Sequence, residues 1–241
     1  MIGNRTSKLL TLSKDKQRLV MSALSNLSKF LGIYQQWRES IRNNGLKWSK
    51  ADTFESFMRI MNNNHGDLLE WHKRATDVLK DNDRLYLRFM LLSGLRKNEG
   101  IQSFNLIIAL SSEGKLAEYY NEDLSMLEHY KFRQFLRKTK NAYITFLPKD
   151  LLTQITKSKP VSYSAIRKSL ERKGFKLRVK ELRSFYASFM VRHNLISEEV
   201  DLLQGRVSKS VFVRHYLKEN PAELRDRTLK AITELEQTLS N

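Results

Sequence analysis

The chain has 241 residues, with 43 lysines and arginines against 26 aspartates and glutamates, which gives a formal net charge of +17. A globular chain with this excess of positive charge is expected to bind a polyanion, and nucleic acid is the favoured one. Cysteine is absent, which excludes disulfides, thiolate catalysis and cysteine-ligated zinc. The most apolar stretch, Phe104 to Leu110, is far shorter than the roughly 20 residues of a transmembrane helix, and no signal-peptide core is visible. These features predict a soluble, intracellular protein of the cytoplasm that binds nucleic acid and no membrane.

The first third of the chain shows three runs of helical periodicity. The first run has apolar residues at three- and four-residue steps, which predicts one buried face made of Leu19, Ala23, Leu24, Leu27 and Phe30. The second run ends at the turn signal Asn43-Asn44-Gly45, and the third begins at Thr53, a possible N-cap. The loop-like segment Asn62 to Gly66 then predicts a domain boundary, with one unit over about 1–64 and a larger one over 65–241.

The larger unit is predicted to be mostly helical with one small antiparallel hairpin. Its helices are expected over 68–79, 84–92, 98–111, 149–157, 162–173, 179–192, 198–203 and after Pro221. Alternating aromatic and apolar residues from Tyr130 to Leu147 flank the polar turn Lys138-Thr139-Lys140-Asn141, which predicts a hairpin that Pro148 ends. The predicted fold class is therefore mainly α with a small antiparallel sheet.

Four segments in the larger unit combine basic residues with a tyrosine. Gly94-Leu95-Arg96 is followed by Glu99 at a predicted helix start. Lys180-Glu181-Leu182-Arg183 opens an aromatic-rich helix, and Leu203-Gln204-Gly205-Arg206 follows it. Tyr216 comes shortly afterwards. Singly, each segment has an ordinary structural explanation as a helix junction, a solvated charge or a core aromatic, but their joint order and spacing are specific.

This order resembles the catalytic domain of the tyrosine recombinases, enzymes that cut and rejoin DNA, over about residues 67–217. The helical N-terminal third is similar only to a generic core-binding unit that grips DNA. Two departures are present, because Lys180 stands where most members have histidine and Arg206 stands where they have histidine or tryptophan. With these two residues the pattern is most similar to archaeal integrases of the SSV-virus type.

The resemblance implies a role for each basic residue in phosphoryl transfer. Arg96 and Arg183 are expected to hold the scissile phosphate, because a guanidinium offers a planar fork of donors and stays charged. A lysine in the predicted hairpin turn is expected to protonate the departing 5′-oxygen, with Lys140 as the first candidate and Lys138 as the second.

Tyr216 is the implied nucleophile, and its attack on phosphorus would form a 3′-phosphotyrosine. Positive charge from Arg183 and Arg206 would stabilise its phenolate, and Lys180 would hold a phosphate oxygen or assist removal of the phenol proton. Glu99 is expected to orient an active-site base, and Tyr186 is the alternative nucleophile. The resemblance implies no cofactor, neither metal nor ATP, because the phosphotyrosine conserves the energy of the broken diester.

The expected partner is double-stranded DNA at an attachment site of an archaeal virus or plasmid. A homotetramer is expected in the synaptic complex, with a monomer in free solution left open. Further basic residues are dense enough to follow a DNA backbone, namely Lys131, Arg133, Arg137, Lys168, Arg172, Lys173, Lys176 and Arg178. Three alternatives remain at this point: a type IB topoisomerase, a non-catalytic DNA-binding relative and a basic RNA-binding protein.

The last segment, from Pro221 to the chain end, is predicted to form a helix with a narrow apolar stripe. The sequence alone leaves open whether the stripe packs on its own unit or on a neighbouring subunit. The resemblance favours exchange of this helix between subunits.

Overall fold

A computed structural model describes residues 6–48, 53–61, 66–137, 141–207 and 220–240. The chain divides into two compact units, Met1–Asn63 and Asn64–Asn241. Lys138, Lys140 and Tyr216, three residues singled out in the sequence, lie outside the described residues.

The N-terminal unit contains a 3-10 turn, Thr6–Thr11, and three helices, α1 (Lys14–Phe30), α2 (Tyr34–Asn43) and α3 (Thr53–Met61). The positions of the three predicted helices are confirmed, and α2 ends at the expected turn, where Gly45 has φ +62°. A small core forms between α1 and α2 from Leu9, Met21, Trp37 and Leu46.

The predicted buried face of α1 is wrong in four of its five residues, because only Leu24 packs against the core. Leu19 is 68% exposed and Phe30 is 87% exposed, whereas Met21 and Ser25 are buried. The reason is the tryptophan of α2, since the buried Trp37 indole N–H needs an acceptor and donates to Ser25 Oγ at 2.8 Å. Together with the packing of Met21 and Trp37 in one core, this bond turns a mixed polar and apolar face of α1 towards α2.

The larger unit contains the remaining helices of the described residues. They are α4 (Gly66–Val78), α5 (Asp81–Ser93), α6 (Lys97–Ser112), α7 (Lys149–Thr156), α8 (Tyr163–Arg172), α9 (Val179–Arg192), α10 (Ser197–Leu203) and α11 (Pro221–Ser240). Each predicted helix of this unit is found within a few residues of its expected bounds. The α5 helix packs along α9 in the centre of the unit, and the second half of α5 is buried except for Arg88.

The sheet has three short antiparallel strands in the order β1 (Tyr120–Asn121), β2 (Met126–Leu127) and β3 (Thr145–Phe146). Tyr120 pairs with Leu127, and Leu127 pairs with Thr145. The first two strands were missed in the sequence because two-residue strands show no alternation to recognise.

The predicted hairpin over 130–147 is correct only in its second strand. Its first half forms two 3-10 turns, His129–Lys131 and Arg133–Phe135, which turn aromatic rings into the core instead of alternating them across a sheet. The Phe135 ring stacks on Tyr119 with centroids 6.0 Å apart. Among the described residues, backbone pairing across the loop persists at two points, where Ala142 N–H donates to the Phe135 carbonyl at 3.1 Å and Tyr130 N–H donates to the Tyr143 carbonyl at 3.0 Å. As predicted, β3 ends before Pro148, which caps α7.

A buried polar network ties the sheet to α6. The Tyr119 hydroxyl donates to Ser103 Oγ at 2.9 Å and lies 2.6 Å from His129 Nδ1. His129 Nε2 lies 2.8 Å from Thr145 Oγ1 in β3. Burial lowers the pKa of His129 to about 3, so the ring is neutral in the folded protein. The four side chains therefore fix β3 against α6 without a buried charge.

The apolar stripe of α11 packs on its own unit, with Leu224, Ile232 and Leu235 buried. Ion pairs flank the stripe, including Arg88 with Glu236. The same contacts can be made by a helix from a neighbouring copy, so exchange between subunits stays a prediction. Within the ranges described, no helix has both the length and the apolar character needed to cross a membrane.

Candidate active site

The turn between α5 and α6 places Arg96 at the start of a helix. Gly94 caps the end of α5 with φ +59°, and a Cβ added there would lie 2.3 Å from Cδ1 of Tyr186. Glycine is required at this position by both its backbone angle and this contact. Arg96 follows as the N-cap of α6, where its backbone N–H donates to Glu99 Oε2 at 3.0 Å.

Glu99 holds two guanidinium groups. Its side chain is only 1% exposed, and Oε1 accepts from Arg96 Nη1 at 2.7 Å and from Arg137 Nη2 at 2.5 Å. A carboxylate buried this deeply requires cationic partners and hydrogen bonds. The pairing expected of Glu99 with a basic residue is therefore seen in the structure, and it includes Arg137, which the sequence had placed on the DNA-facing surface.

Arg183 lies on the buried face of α9 and is 9% exposed. Its Nη1 donates to the Gly94 carbonyl at 2.6 Å and its Nη2 to the Gln204 carbonyl at 2.8 Å. Burial lowers the pKa of the Arg183 guanidinium to about 10, and the positive charges of Arg96 and Arg206 act in the same direction. A pKa near this value leaves Arg183 protonated at neutral pH.

The two arginines meet at one backbone carbonyl. Arg96 Nη2 donates to the Gln204 carbonyl at 3.4 Å, the same oxygen that accepts Arg183, and Arg96 Nη1 donates to the Asn141 carbonyl at 3.0 Å. We call Arg96 and Arg183 with these carbonyls the clamp. The two carbonyls that bind Arg96 belong to Asn141 and Gln204, which are 45 and 108 residues away from it in the sequence.

Gly205 brings two of these segments together. It has φ +68°, and a Cβ added there would lie 1.8 Å from the carbonyl oxygen of Asn141. Only glycine permits this approach, because any side chain would overlap backbone that cannot move aside. The residue that follows Lys140 is thereby held against the Gly205-Arg206 segment.

Arg206 and Lys180 are both exposed, and Arg206 lies near Arg183 of the clamp. The Arg206 side chain is 57% exposed, and Nη1 pairs with Asp201 at 3.0 Å. It borders an open groove of about 430 Å³ between α9 and α10, which is lined by Ser188, Arg192 and Gln204 among others. Lys180 is exposed in the first turn of α9, one helical turn before Arg183. We call Arg206 and Lys180 the rim.

The structure therefore brings together Arg96 and Arg183, with Arg206 close enough to affect the pKa of Arg183. Lys140, Lys138 and Tyr216 fall outside the described residues. The alternative nucleophile, Tyr186, is buried with its ring against Gly94, and burial raises the pKa of its hydroxyl. A nucleophile must reach its substrate, so this arrangement argues against Tyr186.

Three residues around the clamp were not recognised as part of it from the sequence. They are Gln204, Asn141 and Arg137. Gln204 and Asn141 accept from the clamp arginines through their backbone carbonyl oxygens, which every residue has, so the sequence carries no signal for these contacts. Two residues expected on the DNA surface, Lys131 and Arg178, pair with acidic side chains. Across the described ranges, no group of three or more histidine, aspartate or glutamate side chains is arranged to hold a metal ion.

Comparison with known families places the chain. A family model described as archaeal phage integrase matches residues 66–231, which include the whole clamp and the rim. A search of curated proteins and a search of solved structures each gave no match.

Proposed function

The chain belongs to the archaeal phage integrase family, and we propose that it is a tyrosine recombinase, which recombines duplex DNA at specific sites through a 3′-phosphotyrosine bond to Tyr216. The observation that carries this proposal is the clamp, in which Arg96 and Arg183 share the Gln204 carbonyl. Two fixed guanidinium groups side by side are the arrangement that stabilises charge on a phosphate during transfer.

The clamp suits the non-bridging oxygens of a scissile phosphodiester. Each guanidinium has five N–H donors in a rigid fork, more than the carbonyls described here require, so donors remain for phosphate oxygens. The carbonyls and Glu99 hold both groups in place before DNA binds. No reorganisation of the arginines is then needed when negative charge builds up on the phosphorus centre.

In the proposed reaction, the Tyr216 phenolic oxygen attacks phosphorus and the bond from phosphorus to the 5′-oxygen breaks. The phenol loses its proton, with Lys180 as the proposed aid, and positive charge from Arg183 and Arg206 favours the phenolate. Lys140 donates a proton to the departing 5′-oxygen, which leaves as a hydroxyl. A 5′-hydroxyl from the exchanged strand then attacks the phosphotyrosine and releases Tyr216, so that the number of phosphodiester bonds is unchanged.

The proposed assembly is a homotetramer on two attachment sites in the cytoplasm of the host of a mobile element. Exposed basic residues of α8 and the segment after it, such as Lys168, Arg172 and Lys176, supply sequence-independent contacts to the DNA backbone. The proposed exchange of α11 would couple assembly to the position of Tyr216, which precedes it.

Capture of the covalent intermediate tests the proposal. The protein is incubated with a pool of nicked duplexes of random central sequence, in which cleavage near the nick releases a short strand and traps the adduct. We expect protein–DNA adducts on denaturing electrophoresis, and sequencing of the trapped DNA identifies the preferred site. Tyr216→Phe should bind this DNA but form no adduct, because phenylalanine has no nucleophilic oxygen. Tyr130→Phe, which removes the hydroxyl of an exposed tyrosine that donates to Glu128, should behave as the wild type.

An adduct from Tyr216→Phe at the wild-type yield would refute the assignment of the nucleophile. Absence of any adduct from the wild type would refute covalent cleavage itself. With the trapped site in hand, strand exchange between two copies of it distinguishes a recombinase from a type IB topoisomerase, which only relaxes supercoiled DNA.

A further inference from the structure

Gln204 is joined to Arg183 by a reciprocal pair of hydrogen bonds. It is the C-cap of α10 and is 3% exposed. Its side-chain Nε2 donates to the Arg183 backbone carbonyl at 3.0 Å, and its own carbonyl accepts from Arg183 Nη2 at 2.8 Å. The side chain of Gln204 therefore fixes its own backbone carbonyl, which is part of the clamp, against α9.

The same carbonyl oxygen connects α9 to the start of α6, because it also accepts from Arg96 Nη2. Arg96 is fixed from its other side by Glu99. The backbone after Gln204 is fixed as well, since Gly205 with φ +68° lies against the Asn141 carbonyl. Within the described site, the Gln204 carbonyl oxygen is thus the acceptor that joins the end of α10 to both α9 and the start of α6.

We infer that Gln204 is a positioning residue, whose buried amide sets the spacing between the Arg96 and Arg183 guanidinium groups. The inference rests on the proposed function and adds to it a residue that does not touch DNA. Two like charges side by side repel each other, and a shared carbonyl dipole between them offsets part of that repulsion. Without the amide anchor the carbonyl can turn away, and the guanidinium groups then move apart to other acceptors.

The test is Gln204→Met, which keeps a side chain of similar volume and the backbone carbonyl but loses the N–H donor. Single-turnover cleavage is measured on the trapped site with two scissile groups, a normal phosphate and a methylphosphonate. The methyl group replaces one charged oxygen and so removes much of what the clamp stabilises. We expect Gln204→Met to slow cleavage of the phosphate about tenfold and that of the methylphosphonate less than about threefold.

Asn105→Leu is the matched control. Asn105 also uses its side-chain amide to hold backbone in the larger unit, since it bonds both the N–H and the carbonyl of Val161. Its loss should lower the melting temperature to a similar extent as Gln204→Met. It should leave cleavage of both substrates unchanged at temperatures where the protein is folded.

Equal slowing of both substrates by Gln204→Met would show a general structural effect and overturn the inference, as would no slowing of either. The wild-type adduct in the same assay reports separately on the proposed function. If the wild type cleaves the phosphate and Arg183→Ala does not, the proposed function stands whatever the result for Gln204.

Discussion

The clamp and the rim are both rich in positive charge, but they hold it in different ways. Arg183 is a buried residue, and two backbone carbonyls fix its guanidinium. At the rim, Arg206 is mostly exposed and pairs with Asp201 on the surface. Surface ion pairs of this kind contribute little and rearrange easily, whereas buried groups with several partners keep one geometry.

This difference indicates a division of work within one site. The clamp is built before DNA binds, because its partners are all backbone or buried side chains of the protein. The rim side chains are exposed, so in the proposed reaction they can adjust to the bound DNA. Substitutions that keep charge but alter geometry should therefore damage the clamp much more than the rim.

The largest expected effect is a difference in cleavage rate between two substitutions, Arg183→Lys in the clamp and Arg206→Lys at the rim. Lysine keeps the charge but cannot bond two carbonyls and a phosphate in one plane. We expect Arg183→Lys to reduce the single-turnover cleavage rate by about 10²–10³-fold and Arg206→Lys by less than about tenfold. Equal losses in the two variants would show that the proposed division between clamp and rim is wrong.

A smaller effect is expected from alanine at two glycines with similar backbone angles. Gly205 and Gly174 have φ +68° and +79°, but a Cβ meets the Asn141 carbonyl only at Gly205 and has open space at Gly174. Gly174→Ala should reduce the free energy of unfolding by about 1 kcal/mol, the usual strain of this conformation. Gly205→Ala should reduce it by about 3 kcal/mol and also slow cleavage, because the clamp must open. Urea unfolding measures the free energy of unfolding. If alanine lowers it equally at Gly174 and Gly205, the close approach of Gly205 to the Asn141 carbonyl is contradicted.

The smallest expected effect is the response of the larger unit to mild acid. Burial lowers the pKa of His129 to about 3 and that of His72 to about 4, both below the ordinary value of 6.5. The unfolded chain therefore takes up protons below about pH 6.5 while the folded chain does not, so stability falls as the pH falls. Each histidine should remove about 1 kcal/mol from the free energy of unfolding between pH 7 and pH 5.5.

His129→Gln separates the two contributions to this acid response. The variant keeps polar atoms near Tyr119 and Thr145 but has no group that titrates, so its difference between pH 7 and pH 5.5 should shrink by about half. Urea titrations at the two pH values give the change in the free energy of unfolding for each protein. Because the change is taken within one protein, a variant that is less stable overall can still be compared with the wild type. An unchanged difference would mean that His129 is not the buried neutral histidine inferred here.

Local patterns in the sequence were sufficient for the helices and for the order of the basic residues. The bounds of α9 follow from apolar spacing between Val179 and Arg192, and α11 begins at Pro221 as its sequence predicts. A helix is stabilised by contacts between residues three and four apart, so its position is written in short segments. The segments with Arg96, Arg183 and Arg206 could be recognised for the same reason, since each is short and contiguous.

Only the tertiary structure decided which face of α1 is buried, where the strands pair and how the two arginines are held. The first depends on the packing of Trp37 with Met21 and on its hydrogen bond to Ser25. The last depends on the Gln204 carbonyl, which lies 21 residues from Arg183 and 108 from Arg96. A backbone carbonyl is the same in every residue, so the sequence carries no sign of which one will receive a guanidinium. That choice is made by the packing of α5, α9 and α10 and by Gly205, whose missing side chain lets Asn141 approach.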